Sequence, residues 1–508
     1  MRSLALCAGA LCACATSTPE PYPITMVEPV VVAPPPTRTT TVSGTVALSI
    51  EDAIYEALAN NRDLRIQRFG PVLAGTFEQI ERGVFDPEVF AEFRLQRERA
   101  SQVARATGER FDVTGTNADT VLGVRQRLPT GTTLEATASH GYDDSDRTPR
   151  QQAVRLGLSV TQSLLRGFGP AVNLARLDQA RLDFDASVHE LEGYAQAVIA
   201  AAEIAYWRFV MRTAEIAIHT RSLEVAESQE NEVAQRIDVG LLPPLEAAAA
   251  QAEVARRKQA VIDAKSLRRA AELQLARMIL PDVENAVRID ATSAPRTTTP
   301  ALAEAEAHVA LALKTRPEIE EAQARLEQRR LDTVVTENGI LPRLDFFVAL
   351  GKTGFDSSAR GSIAALTSET YDVVAGLQLS DVLGHRATNA IDRAARVDRR
   401  RSEEAVANLR QAVSLEVRLA LNEVERARAQ IDATAATRSL QEKAVAAEKE
   451  RFDVGDSTAL LVASAQRDLL MSEIDEVRAV VDYRIALVNL YRSEGTLLAR
   501  RGITLSAP

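Results

Sequence analysis

The sequence predicts a mainly α protein with membrane β-strands, in which long antiparallel helical hairpins continue into the strands. Three observations predict this fold: a repeat that spans most of the 508 residues, two long stretches with helical apolar spacing, and short segments that alternate apolar and polar residues. Aromatic residues make up only 4% of the chain and charged residues 26%, which is typical of long packed helices. The net charge of −10 argues against a nucleic-acid partner.

The first 13 residues resemble a secretory signal peptide. Their apolar run, residues 4–13, is too short to span a bilayer, which needs roughly 20 apolar residues. All three cysteines lie in the first 14 residues, and residues 11–14, Leu-Cys-Ala-Cys, resemble a lipoprotein cleavage box. We therefore predict that Cys14 is lipidated, the alternatives being an ordinary signal peptide or a misassigned start codon. Residues 14–47 contain a Pro-rich stretch and are predicted to be an extended tether.

The rest of the chain carries an internal repeat. The matched segments, first half against second, are 57–64 and 312–319, Pro87 and Pro342, 236–240 and 451–455, and Gln251 and Gln466. The offset between matched positions falls from 255 to 215 residues, so the first half carries 40 additional residues between 87 and 240. A period of this length indicates a duplicated domain. We therefore predict a first repeat at 48–299, a second at 300–500, and a tail at 501–508.

Each repeat opens with a predicted pair of short helices, at 49–84 and 301–337. Ser49 and Asp52 have the spacing of a capping box, which marks the start of the first pair. The Gly-Pro dipeptide at 70–71 is expected to break or kink the stretch, because proline cannot donate a helical hydrogen bond.

Strands follow the helices in both repeats. Residues 89–95 and 154–160 alternate apolar and polar side chains, and so do 344–350 and 371–379. This period of two is typical of outer-membrane barrel strands, although a soluble antiparallel sheet with one wet face has the same pattern. The additional residues of the first half contain Pro-Thr-Gly at 129–131 between two alternating segments, which predicts an added hairpin.

Two long helices come next, at 171–238 and 389–454. Their apolar residues recur at spacings of three and four with many alanines, which predicts coiled-coil packing along a narrow seam. Each helix has about 66 residues and is therefore roughly 100 Å long. A glycine turn reverses each one, and return helices are predicted at 244–280 and 459–498.

The number of strands has a consequence for assembly. Four strands, or six with the added hairpin, cannot close a membrane barrel, and an open edge in lipid leaves backbone groups unsatisfied. The chain must therefore oligomerise to complete a barrel, and three copies would provide twelve or eighteen strands. Helical hairpins of this length that continue from a barrel would form a tube across the periplasm. Two other classes of protein account for fewer of these sequence features. A periplasmic adaptor predicts a single hairpin, and a periplasmic coiled-coil scaffold leaves the strands and the export signal unexplained.

The chain resembles the TolC-like outer-membrane efflux proteins over nearly all of residues 48–500. The resemblance is carried by the order and repetition of four features: Asn-Arg-Asp-Leu at 61–64, the segment 162–169, Leu-Pro-Arg-Leu at 341–344, and the two Val-Gly turns. It implies a homotrimer with a lipid-contacting β-barrel in the bacterial outer membrane and an α-helical barrel (α-barrel) of long antiparallel hairpins below it in the periplasm. It also implies a periplasmic adaptor (membrane fusion protein) and an inner-membrane pump as partners.

The same resemblance implies a passive duct rather than an enzyme. The five histidines are far apart, so no catalytic or metal site is predicted, and no cofactor. Small-molecule efflux of drugs, toxic compounds or metabolites is the favoured role, and a type I protein secretion duct is the alternative, because the pump selects the cargo.

The turns between the long helices are the candidate functional residues. By resemblance, the adaptor contacts are Val239, Gly240 and Leu241 in the first turn and Val454, Gly455 and Asp456 in the second. The alternative is that each glycine only supplies the positive φ that ends a helix. The candidate pore gate comprises Glu246, Arg451 and Asp453. For Glu246 the alternative is a first-turn acid that the helix dipole favours.

Overall fold

The computed structural model describes residues 29–31, 41–42, 45–103, 107–146, 149–280, 288–295 and 302–505. The predicted signal peptide and Cys14 lie outside this part of the chain, as does most of the predicted tether.

The helices, in chain order, are α1 Ile50–Asn60, α2 Arg62–Gln67, α3 Phe69–Gly83, α4 Pro170–Asn173, α5 Ala175–Asp238, α6 Leu245–Ile279, α7 Ala305–Thr315, α8 Pro317–Ile340, α9 Ala359–Ala365, α10 Arg386–Asp453, α11 Ala459–Ser493 and α12 Leu497–Arg500. The strands are β1 Pro29–Val31, β2 Thr41–Val42, β3 Thr45–Leu48, β4 Glu88–Val103, β5 Arg110–Arg127, β6 Thr132–Ser145, β7 Gln151–Ser163, β8 Arg288–Ala291, β9 Arg343–Asp356, β10 Asp372–Ser380 and β11 Ile503–Leu505.

The first predicted helix pair is in fact three helices, α1 to α3. The capping box forms as expected: the Ser49 hydroxyl accepts from the Asp52 amide at 3.1 Å, and the Ser49 amide donates to the Asp52 carboxylate at 3.3 Å. Asn61 separates α1 from α2 because its side chain caps α2. The next break falls at Arg68, ahead of the Gly-Pro dipeptide. Pro71 therefore lies in the first turn of α3, where its missing N–H costs nothing.

Two helical hairpins are the longest features of the fold. Helix α5 has 64 residues and α10 has 68, so each is about 100 Å long. Helix α6 returns along α5, and α11 returns along α10, while α11 also packs against α5. Among the described residues, no helix is both long and apolar enough to cross a membrane.

The main core lies about halfway along α5, where α1, α6 and β8 pack around it. Its largest fully buried side chains include Tyr206, Phe209 and Ile199. Tyr206 contacts the edge of the Trp207 ring, with the centroids 5.4 Å apart. The Tyr206 hydroxyl donates to the Leu48 carbonyl at 3.1 Å and accepts from the Ser293 amide at 2.9 Å. This buried hydroxyl therefore connects α5 to the small sheet formed by β2, β3 and β8.

The first and last described segments of the chain meet at this core. Strand β1, within the predicted tether, pairs antiparallel with β11, within the predicted tail. Ile503 is buried there. The described part of the tether is therefore paired rather than freely extended, because its β-branched residues suit a strand once a partner is available.

A fully buried carboxylate fixes the C-terminal segment. Glu203 of α5 accepts two hydrogen bonds from Arg501, at 2.7 and 2.5 Å. Burial raises the pKa of Glu203, and the Arg501 guanidinium opposes that rise. A buried carboxylate left without its partner is costly, so this pair ties the end of α12 to α5.

The large sheet has six antiparallel strands in the order β10-β9-β7-β6-β5-β4. The hairpin predicted from Pro-Thr-Gly at 129–131 is β5–β6, and Gly131 adopts a φ of +84° in its turn. This hairpin is inserted between β4 and β7, so it belongs to the same sheet. Strands β4 and β10 form the two edges.

Candidate functional site

One face of the large sheet is apolar across all six strands. Directly paired residues form one continuous row from edge to edge: Val89, Val124, Ala136, Leu158, Leu350 and Val373. The large side chains in this row are exposed in the single chain. An exposed apolar band of this kind is what a lipid-facing sheet surface requires.

The opposite face of the sheet carries ion pairs between its strands. Arg125 Nε lies 2.7 Å from Glu135 Oε2 on the neighbouring strand. Arg155 Nη1 lies 2.6 Å from Asp372 Oδ1 and also donates to the Thr353 hydroxyl. The added hairpin contributes to both faces, so it continues the apolar and polar pattern of the other four strands.

The two helix turns have the same backbone geometry. Gly240 has a φ of +77° and Gly455 a φ of +80°. In the first turn, Gly240 N donates to the carbonyl of residue 237 at 2.9 Å and Leu241 N to that of residue 236 at 2.8 Å. In the second, Gly455 N and Asp456 N make the equivalent bonds at 3.1 and 2.8 Å. Both turns are therefore Schellman motifs, in which glycine avoids the Cβ strain of positive φ.

The tips also expose apolar side chains to solvent. Val239 is 69% exposed, Leu241 74% and Val454 81%. Leu245, Leu460 and Leu461, in the first turns of the return helices, are exposed as well. Exposed apolar residues grouped at one end of a protein are typical of a docking surface.

A small core beneath the tips holds the two hairpins together. Val233, Phe452, Ala459 and Val462 are buried against one another. Beside this core lies a cavity of about 200 Å³, lined mostly by alanines of α5, α6 and α11. The hairpin tips of one chain are therefore packed side by side.

Arg236 connects the first hairpin to the second. Its Nη2 lies 2.7 Å from Asp453 Oδ1 and 2.6 Å from Glu232 Oε1. Its guanidinium also stacks over the Phe452 ring, 4.8 Å from the centroid. Of the candidate gate residues, Asp453 therefore makes its ion pair across the hairpins, with an arginine that the sequence predictions did not select. The internal repeat offered a signal, because it matches Arg236 with Arg451.

Arg451 makes its contacts within the second tip. Its Nη1 lies 3.0 Å from Glu448 Oε2, and its Nε lies 3.3 Å from Asp456 Oδ2. The hydrogen bond to Asp456 raises the pKa of Arg451. Arg451 and Asp456 thus meet, while Asp453 points to the other hairpin.

Glu246 lies in the first turn of α6. Its carboxylate makes no ion pair with any described residue. The N-cap of α6 is Pro244, which has no capping side chain, so Glu246 is the acid closest to the unsatisfied amides of this helix start. It is separate from the ion pairs of Arg451 and Asp453. Across the described ranges, no group of side chains has the arrangement of a metal site.

The fold is that of outer-membrane channels. The outer-membrane channel OprN matches 88% of the chain with a TM-score of 0.67 and 17% identity, over 89% of its own length. The open-state MtrE outer-membrane channel of Neisseria gonorrhoeae matches 93% of the chain, and 98% of its own, with a TM-score of 0.62 and 17% identity. A membrane protein from Pseudomonas aeruginosa matches 88% of the chain and 93% of its own, with a TM-score of 0.66 and 19% identity.

The model of the family described as outer membrane efflux protein matches residues 126–279 and 309–496, which is more than half of the chain. The chain therefore belongs to the outer membrane efflux protein family, and the resemblance to TolC-like proteins is confirmed. No curated protein sequence is significantly similar to it.

Proposed function

We propose that the chain is one subunit of a homotrimeric outer-membrane export channel, a passive duct served by a periplasmic adaptor and an inner-membrane pump. The observation that carries this proposal is the apolar row that crosses all six strands of a sheet whose ends continue into helical hairpins about 100 Å long. A lipid-facing sheet joined to such hairpins connects the outer membrane to the periplasm.

The open sheet edges support the trimer. Strands β4 and β10 each have a strand neighbour on one side only. In lipid, the unpaired backbone groups of these edges would cost several kcal/mol each, so the edges must meet those of other copies. Three copies of a six-stranded sheet make a barrel of eighteen strands, a number common in membrane barrels.

The tips are the proposed adaptor site. Their exposed apolar side chains at Val239, Leu241 and Val454 lie at the far end of the hairpins from the sheet, which is where a partner below the channel would dock. Gly240 and Gly455 shape the turns, and Asp456 stabilises the second one through Arg451.

The gate is proposed at the same end. The ion pair between Asp453 and Arg236 holds the two hairpins of one chain together. Arg451 stabilises the second tip through Asp456. Glu246 provides an unpaired carboxylate at the same end of the hairpins. Separation of the hairpins would widen the mouth, and the unpaired acids would favour cations there.

The proposed cargo is a small molecule, and the proposed anchor at Cys14 adds lipid to the N-terminus. The channel itself has no means of choosing between small molecules and a secreted protein, because the pump selects the cargo. The genes that neighbour this one in the genome would identify the pump.

The decisive experiment is the oligomeric mass of the protein extracted by detergent from outer membranes, before and after heating. A trimer that converts to monomer on heating is the expected result. A periplasmic monomer or dimer that needs no detergent would replace the channel with the coiled-coil scaffold.

A further inference from the structure

An open cleft of about 1030 Å³ lies between α5, α6 and β8. Of the described residues that line it, four are cations, Lys265, Arg268, Arg269 and Arg288, and one is an acid, Glu272. We refer to it as the basic cleft. Such an excess of positive charge stands out in a chain whose net charge is −10.

The charges within the basic cleft are only partly balanced. Glu272 is buried and accepts from Arg269 at 2.8 Å and from the Ile289 amide at 2.8 Å. The Arg268 guanidinium is held over the Phe209 ring, 5.3 Å from its centroid. Lys265 and Arg288 make no ion pair within the described part of the chain. Lys265 and Arg288 are therefore available to pair with the carboxylates of an acidic partner.

Helix α6, which forms one wall of the cleft, also has an unpartnered apolar face. Exposed residues spaced alternately by three and four form a seam along it: Leu245, Ala248, Ala252, Ala255, Gln259, Ile262 and Ser266. Ile262 is 67% exposed. We call this the α6 seam, and its heptad spacing is that of a coiled-coil contact.

Helix α10 has a matching second seam. Its buried side faces the rest of the chain through residues such as Val413, Val417 and Val424. A separate set of exposed residues follows the same alternation of three and four: Ala412, Leu415, Leu419, Asn422, Arg426, Ala429, Ala433, Ala436 and Leu440. Leu440 is 65% exposed. This is the α10 seam, and a second apolar seam on one helix requires a second helical partner.

The geometry of the tips determines which residues of the two seams lie at the same distance from the tips in neighbouring copies. The Arg236–Asp453 ion pair places both tips of a chain at the same height. In copies related by rotation about an axis parallel to the hairpins, neighbouring tips share that height. Lys265 lies 20 residues after the start of α6, and Asp432 lies 21 residues before the end of α10. At 1.5 Å per residue, both are about 30 Å from the tips.

Two acids of α10 are available at this height. Asp432 and Glu425 are exposed, lie seven residues apart on one side of the α10 seam, and form no ion pair with another described residue. Glu425 is level with the end of the cleft near Glu272. Arg428 lies one turn from both acids and pairs with neither. The acids are thus free to meet cations of another chain.

We propose that the basic cleft of one copy receives Asp432 and Glu425 from α10 of the next copy, while the α6 and α10 seams pack against each other. The inference rests on the proposed trimer, since it needs a second copy of the chain. It names the contact that closes the ring of hairpins: a belt of ion pairs between subunits that begins about 30 Å above the tips and extends to about 42 Å at Glu425. Charged residues that flank a heptad seam commonly set partner and register in this way.

A charge-swap cycle tests the contact. Asp432→Lys and Lys265→Asp, each alone, are expected to lower the temperature at which the detergent-extracted trimer dissociates by about 3–6 °C, and the double variant to recover most of that loss. The effect of the single changes should shrink in 1 M NaCl, because salt screens exposed charges. Recovery in the double variant excludes simple misfolding as the cause.

Glu404→Lys is the matched control. Glu404 lies on the same stripe of α10 as Asp432 but 49 residues before Asp453, whereas α6 has only 35 residues. Combined with Lys265→Asp, it should give no recovery.

The outcomes separate this inference from the proposed function. If the unaltered protein is not a trimer, both fail. If it is a trimer and the swap gives no recovery, only the ionic contact is overturned. If Lys265→Asp leaves dissociation unchanged but abolishes retention of purified peptidoglycan, the cleft holds a wall polyanion and the inference is likewise wrong.

Discussion

Arg236 Nη2 and Asp453 Oδ1 lie 2.7 Å apart and join the two hairpin tips of one chain. The Arg236 guanidinium also stacks over the Phe452 ring, which adds a second contact between the two hairpins. Through it a candidate gate residue of one hairpin contacts the other hairpin.

The first prediction concerns this pair. Asp453→Asn is expected to loosen the tips and to increase single-channel conductance in planar bilayers, while costing under about 1 kcal/mol of stability because the pair is partly exposed. Asp456→Asn is the control, since its partner Arg451 lies within the same tip. Equal conductance changes in both variants would contradict a role for the cross-hairpin pair.

The second prediction concerns Glu246. Glu246→Ala should raise conductance, because the shorter side chain narrows the proposed mouth less. It should also weaken block by divalent cations, because the carboxylate that attracts them is removed. Bilayer recordings with and without added divalent cation measure both quantities. Unchanged conductance and block would leave Glu246 only its role at the start of α6.

The third prediction concerns adaptor docking. Leu241→Asp and Val454→Asp place a charge on the exposed apolar tips and should abolish pull-down of the adaptor without altering the trimer. Ser228→Asp, at an exposed position of α5 above the tips and outside both the α6 and α10 seams, serves as the control. If both tip variants still bind the adaptor, the adaptor docks on another part of the protein.

The fourth prediction compares adjacent residues on opposite faces of β7. Leu158→Arg falls in the middle of the apolar row and should destabilise the membrane-inserted protein by about 2–4 kcal/mol. Ser159→Arg points to the polar face and should cost far less. Urea unfolding from lipid vesicles measures the difference, and the opposite ranking would reverse the assignment of the lipid-facing side.

The fifth prediction concerns pH. Burial lowers the pKa of His219 on α5 from its usual 6.5, although Glu215 opposes this shift. Because the folded state disfavours the proton, the stability is fully present above pH 6.5 and is lost as the pH falls through the lower folded-state value. Thermal unfolding between pH 7.5 and 5 should show this loss, and His219→Gln should flatten the profile. An equally steep profile in the variant would place the titrating group elsewhere.

The long helices were predicted to within a few residues. Helix α5 was expected at 171–238 and begins at Ala175, and α6 was expected at 244–280 and spans Leu245–Ile279. These predictions succeed because apolar periodicity and a terminal glycine are local signals. The strands were recognised but predicted too short. Strand β4 runs to Val103, beyond its alternating residues, because pairing with β5 continues there.

Contacts between distant segments escaped the sequence analysis. The pairing of β1 with β11 joins the first and last described segments, and Arg236 meets an aspartate 217 residues away. Helix α9, within the second half, was not expected either. The duplication, the trimer and the role of each tip residue stay predictions.

The sequence by itself determined the helical hairpins, the alternating strands, the glycine turns and the family, because each depends on residues close together along the chain. Only the tertiary structure decided that the added hairpin lies inside the six-stranded sheet, that one apolar row crosses every strand, and that Asp453 pairs with Arg236. Register between strands and ion pairs between helices depend on how distant segments pack, and local patterns do not specify that packing.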